Sequence, residues 1–140
     1  MMDADSPARR HAFARYLAIA SGEGDLAELD ALFSPAFVGH IGERTRDLAQ
    51  VKRDIDAYRA SVDNVRFRVE HRFGTGPFVA ARVSATATRR SDGAELVASG
   101  INISRWDEDR LAEEWAVWEP LHARDPEPPM GPAKASRDIR

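Results

Sequence analysis

Hydrophobic positions recur with two different periods along the chain, and the change of period divides it into a helical half and a strand half. Ser6-Pro7 predicts a helix opening, with Ser as N-cap and Pro in the first turn. Phe13, Tyr16, Leu17 and Ala20 then fall at i, i+3, i+4 and i+7, one apolar face that ends at Ser21-Gly22. A second short helix is predicted after Asp25, with Leu26, Leu29, Leu32 and Phe33 toward the core and Pro35 closing it. A third runs over about 46–61, with Leu48, Val51, Ile55 and Tyr58 on one stripe; the stretch FVGHIGERT before it reads as a short strand and loop. After Asp63-Asn64 the period becomes two: Val65, Phe67, Val69, His71 and Phe73 alternate with polar residues, which predicts a half-buried strand. Turns at 74–77, 91–93 and 107–109 separate three further strands, 78–88, 95–106 and 111–121. Three helices followed by a strand meander predict an α+β fold, with a curved antiparallel sheet packed on the helices and a pocket between them.

Composition narrows the class. At 140 residues with 43% hydrophobic content, the chain holds one core and not two. The last eighteen residues carry four of its eight prolines, so the expected organisation is a flexible 1–6, a domain over 7–122 and a proline-rich tail over 123–140. The absence of cysteine excludes a disulfide scaffold and a thiol nucleophile. A net charge of −3 offers no attraction to nucleic acid. No apolar run is long enough to span a membrane and no signal-peptide core is visible, so the expected compartment is the cytoplasm.

The segment GINISRWDEDRLAEEWAVWEPL, Gly100 to Leu121, resembles the closing hairpin of SnoaL-like proteins of the nuclear transport factor 2-like superfamily. The Gly24-Asp25 step and the His in FVGHIGE agree in order and spacing, and the resemblance covers roughly residues 7–121. It implies a cone-shaped α+β fold around an apolar pocket and a homodimer through the outer sheet face. Trp106 and Trp118, more aromatic surface than one small core hides, argue for the same dimer. The resemblance does not choose an activity, because the superfamily includes polyketide cyclases, isomerases, epoxide hydrolases and non-catalytic binding modules.

Three residues are the catalytic candidates. His40, between Gly39 and Gly42, is either a pocket-facing general base or an exposed loop residue. Glu119, at the end of the last strand, is either a desolvated acid–base group or a solvated strand-end carboxylate. Tyr16 lies close to where the resemblance places the isomerases' oxyanion donor, although a tyrosine on an apolar helix face is more often a core residue. Phe13, Phe37, Tyr58, His71, Arg82, Asn102, Trp115 and Trp118 are the expected pocket-lining residues. One departure bears on the cyclase reading: some cyclases carry an aspartate directly after the tryptophan corresponding to Trp115, where this chain has Ala116.

The four histidines show no metal-ligand spacing, and neither metal nor cofactor is expected. The expected function is cofactor-independent acid–base chemistry on a small hydrophobic carbonyl compound, by aldol cyclisation or isomerisation. The alternative is a non-catalytic module binding a small ligand or a protein. Epoxide hydrolysis ranks lower, because Arg82 has no evident inward pair of aspartates on the strands.

Overall fold

The computed structural model describes residues 3–124. Helix α1 spans Pro7–Ala20; Ser6 Oγ accepts from the Arg9 N–H at 3.2 Å, and the chain leaves the helix through Gly22 at φ +111°. Ala12, Phe13, Tyr16 and Ile19 form its buried face, so of the expected stripe Phe13 and Tyr16 are sealed while Leu17 and Ala20 lie half-buried at its edge. Asp25 caps a 3₁₀ turn, Leu26–Glu28, that continues into the single turn α2, Leu29–Leu32.

Strand β1 begins at Phe33 and runs to Ile41, so Pro35 lies inside a strand rather than closing a helix. Its pairing with β6 is interrupted between Phe33 and Val38, and Pro35 sits in that irregularity, where no ladder N–H is needed. The early strand brings Phe33 within 5.0 Å of the Tyr16 ring and 4.6 Å of Phe37. A tight turn leads to β2, Arg44–Arg46, and α3 follows over Leu48–Ser61. Asp47 is its N-cap, accepting from Gln50 N–H at 2.9 Å, so Arg46 belongs to the strand and not to the helix.

Strands β3 (Val62–Thr75), β4 (Phe78–Arg89), β5 (Glu95–Asp107), β6 (Arg110–Trp118) and the short β7 (His122–Ala123) complete a sheet ordered β2-β1-β6-β5-β4-β3, with β7 on β5. The sheet is mixed rather than wholly antiparallel, because β1 and β6 pair parallel. It is curved and open, and the helices pack on one face. Leu29, Phe33, Leu111, Val51, Val83 and Ile19 are sealed in the core between them.

Two register shifts in β3, between Asp63 and Arg66 and between Val69 and His71, break the alternation expected there. Each shift exchanges the faces of the strand. His71 and Phe73 therefore point outward and exposed, while Arg72 is largely covered and lies over the Phe13 ring. Trp106 is also not a surface residue: it is 4% exposed and donates its indole N–H to Ser104 Oγ at 2.8 Å.

Both ends of the domain are tied to it. Ala4 and Ser6, in the segment expected to be flexible, are buried, and Asp5 pairs with Arg10 and Arg72. At the other end Ala123 pairs with Leu96; of the expected tail, residues 125–140 lie outside those described. Among the described residues no helix is long and apolar enough to cross a membrane.

Candidate functional site

Two depressions flank α1. The larger, about 580 Å³ against β3, is lined by Phe13, Leu17, Phe67 and several exposed or ion-paired side chains. The second, an open cleft of about 430 Å³, is bounded by α1, α3 and the inner sheet face. Tyr16, Ile55, Tyr58, Phe67, Ala98 and Trp118 supply its apolar walls, and Arg46, Asp54, Asn102 and Glu114 converge on it. An apolar concavity with a few convergent polar groups is where chemistry is sought first, so the smaller depression is the candidate site.

Strand parity decides which groups reach it. On β6, Ala112, Glu114 and Ala116 are buried toward the helices, while Glu113, Trp115 and Val117 face away. Glu114 is 3% exposed, and its Oε2 has no hydrogen-bond partner among the described residues. Its Oε1 lies 3.8 Å from Arg46 Nη2, too far for a hydrogen bond. Burial pushes the Glu114 carboxyl up to about 7, against the pull of the Arg46 charge. A carboxyl so placed exchanges its proton near neutrality, which an acid–base group requires.

Arg46 is held chiefly by Asp54, whose Oδ2 accepts from it at 3.0 Å. Burial raises the Asp54 carboxyl, but Gln50, Arg46 and Arg44 outweigh it and leave the group below its ordinary range. Burial first, and the Glu114 charge second, push the Tyr16 phenol above its ordinary value. Tyr16 therefore remains a neutral O–H donor at the cleft wall. Asn102, 6% exposed, completes the polar set, with its Oδ1 unpartnered among the described residues.

The structure brings together some of the sequence candidates and separates others. Tyr16, Tyr58, Asn102, Trp118 and Glu119 line the cleft. Glu119 does so at its rim: it is exposed, and Oε1 accepts from the Ser99 N–H at 2.8 Å. His40 does not face the cleft. Phe37 and Gly39 point inward on β1, so His40 lies on the outer face, stacked on Trp115 at 5.4 Å and 8° with Nε2 2.7 Å from Glu113 Oε2. His71 and Arg82, opposite each other in the β3–β4 register, are also outward and exposed. Trp115 is on that outer face as well, Phe37 is core against Phe33, and Phe13 lines the larger groove. The proposed catalytic set of His40, Glu119 and Tyr16 therefore does not converge.

Glu114, Arg46 and Asp54 are not among the candidates expected from the sequence. A signal for Glu114 was present: Ala112-Glu114-Ala116 is a small–acidic–small alternation beside the bulkier Trp115 and Val117. Hydrophobicity alone favours Trp115 and Val117 for the interior, which conceals that alternation. Nothing in the spacing of Arg46 and Asp54 distinguishes them from surface residues. Among the described residues no group of three or more His, Asp or Glu gathers as a metal ligand set.

Comparison with known proteins gives a consistent fold. A SnoaL-like domain model matches residues 13–114. IdmH of Streptomyces antibioticus, named as a candidate polyketide cyclase, superposes with a TM-score of 0.69 at 24% identity, over 79% of this chain and 91% of that one. A candidate polyketide cyclase from Acidithiobacillus ferrooxidans gives 0.68 at 21% identity, covering 84% and 92% of the two chains. A SnoaL-like polyketide cyclase from Agrobacterium tumefaciens gives 0.65 at 13%, covering 94% and 97%. At these identities the likeness is one of fold. No curated protein sequence matches the chain significantly.

Proposed function

The chain belongs to the SnoaL-like family, and from that premise we propose that it is a cofactor-independent acid–base enzyme acting on a small hydrophobic carbonyl compound, with Glu114 as its proton carrier. The observation that carries this reading is the Glu114 carboxyl: buried, its Oε2 without a hydrogen-bond partner among the described residues, and facing a cleft walled by Tyr16, Phe67 and Trp118.

The chemistry follows from the placement. Ionised Glu114 removes the proton α to the substrate carbonyl, and the electron pair moves onto the carbonyl oxygen. A neutral Tyr16 hydroxyl donates to that developing enolate, and the nearby Arg46 charge stabilises it further. In an isomerisation Glu114 returns the proton to another carbon. In an aldol cyclisation the enolate carbon bonds to a second carbonyl of the same molecule, and the resulting alkoxide takes the proton back.

A second reading is favoured by one arrangement. Asp54, Arg46 and Glu114 form a carboxylate–guanidinium–carboxylate series, an acidic pair that the strands alone did not offer to Arg82. Such a series suits epoxide opening, with one carboxyl protonating the oxygen and the other activating water.

The test needs no knowledge of the natural substrate. β-Tetralone is incubated in deuterated buffer, and α-deuteration is followed by NMR beside diol formation from styrene oxide. Acceleration of exchange over buffer, lost by on the order of 10²-fold in Glu114→Gln, supports the first reading. Diol formation without exchange supports the second. Saturable ketone binding with neither reaction overturns both and points to a binding module.

We also propose a homodimer through the outer sheet face, where Ile101, Ile103, Trp115, Val117 and Phe78 are between 38% and 71% exposed. The apolar surface that supports it comes from these residues and not from Trp106 or Trp118, which turn inward.

A further inference from the structure

We propose that Asp54 is a positioning residue for Glu114: it holds the Arg46 guanidinium off the Glu114 carboxyl, and so leaves that carboxyl able to carry a proton. The inference rests on the reading of Glu114 as the proton carrier of the cleft.

Arg46 projects from β2 between two carboxyl groups and is not shared equally. Nη1 lies 3.0 Å from Asp54 Oδ2, a hydrogen bond, whereas Nη2 lies 3.8 Å from Glu114 Oε1, which is not one. The Arg46 side chain is 10% exposed, so solvent offers it little alternative partnership. Asp54 is itself fixed. Gln50, one turn earlier on α3, donates to its Oδ1 at 2.8 Å, and Arg44 donates to Oδ2 at 3.2 Å. Helix α3 thus supplies a braced carboxylate that claims the guanidinium.

The consequence follows from what else faces Glu114. The titratable or charged groups lining the cleft with it are Tyr16 on α1, Arg46 on β2, Asp54 and Tyr58 on α3, and Glu119 past the end of β6. From β5 come the neutral Asn102 and, opposite Glu114 in register, Ser104. Arg46 is the one cation among these described lining residues. If it moved less than 1 Å toward Glu114 it would form a charge-assisted hydrogen bond, and the carboxylate would be favoured at the expense of the acid. Burial raises the proton affinity of Glu114, and the contest between Asp54 and Glu114 for one guanidinium sets how far Arg46 offsets that rise.

The experiment reads that proton affinity directly and without substrate. Glutamate carboxyl ¹³C resonances are titrated in the full-length protein, with the Glu114 signal assigned by its loss in Glu114→Gln. In Asp54→Asn the Glu114 midpoint is expected to fall by about one pH unit or more, a tenfold loss of proton affinity. Asp54→Glu, which retains the carboxylate, is expected to stay closer to wild type than Asp54→Asn. Gln50→Leu loosens the brace without removing the charge and is expected to move the midpoint the same way by a smaller step. An unchanged midpoint in Asp54→Asn overturns the proposal; if that variant does not fold, Gln50→Leu decides on the same criterion. A shifted midpoint in a protein that turns over neither probe would leave the positioning role standing and remove the enzymatic reading. Turnover that depends on Glu114 with an unmoved midpoint would do the reverse.

Discussion

Arg46 and Glu114 face each other at the cleft with Nη2 and Oε1 3.8 Å apart, within ion-pair range yet beyond hydrogen-bond length. That separation leaves a buried carboxyl to be stabilised mainly by its own protonation, and stability should report it. The folded-state value, about 7, lies above the ordinary 4.5, so folding is favoured when Glu114 is protonated. Its contribution is fully present below pH 4.5 and is lost as pH rises through 7. The expected loss is about 3 kcal/mol across that window. Urea unfolding at pH 4 and pH 8 measures it, and Glu114→Gln should remove this part of the difference.

His40 is expected to be dispensable for proton transfer in the cleft. Its ring stacks on Trp115 and pairs with Glu113 on the face opposite Tyr16 and Glu114. His40→Ala should leave the rate of tetralone exchange and its pH profile at the wild-type level. A loss comparable with that of Glu114→Gln would return the catalytic role to the outer face.

Arg9 is a buried cation that joins α1 to two hairpin turns. At 4% exposure it donates from Nε to Glu108 O at 2.7 Å and from Nη1 to Gly76 O at 3.0 Å. Both acceptors stand at positive φ, +53° and +56°, where the turning backbone presents its carbonyls toward the helix. Arg9→Met would strand these carbonyls and should destabilise the fold by about 3 kcal/mol in chemical denaturation. Arg9→Lys should recover only part of that, because one ammonium does not match the planar fork.

Gly100 determines the position of Trp118 at the cleft wall. The two residues are partners across β5 and β6, and a Cβ on Gly100 would collide with the indole ring. Gly100→Ala should displace Trp118, cost about 1–3 kcal/mol, and shift the tryptophan emission spectrum. Unchanged emission and stability would mean that the ring is not confined there.

The outer sheet face should hold two copies together. Ile101 and Val117, at 59% and 71% exposure, are register partners on adjacent strands, so replacing both by Lys puts like charges at the centre of the face. Light scattering is expected to show a dimer for wild type and a monomer for the double variant. A wild-type monomer at micromolar concentration would count against the dimer.

How much was legible in the sequence differs by element. Helix α1 and its capping were, because Ser6-Pro7 and the apolar residues at i, i+3 and i+4 are local signals that the backbone obeys directly. So was the strand meander, from its period of two and its turns. The start of β1 was not: Phe33 leaves the helix early to pack against Tyr16 and Phe37, a contact between distant segments that no local preference encodes.

The candidate site divides the same way. Sequence alone determined the fold class, the catalytic residue types available without cysteine, and Tyr16 and Asn102 as polar groups worth locating. Only tertiary structure decided which face each strand residue occupies. Successive side chains alternate between faces, and the irregularity between Val69 and His71 in β3 moves every later residue of that strand to the other side. That parity placed His40 and Arg82 outside and Glu114 within. It also placed bulky apolar residues on an exposed face and an acidic one in the interior, the opposite of what hydrophobicity alone suggests. The pairing of Arg46 with Asp54 rather than Glu114 is a matter of less than 1 Å between residues on three separate elements, and it exists only once β2, α3 and β6 have packed together.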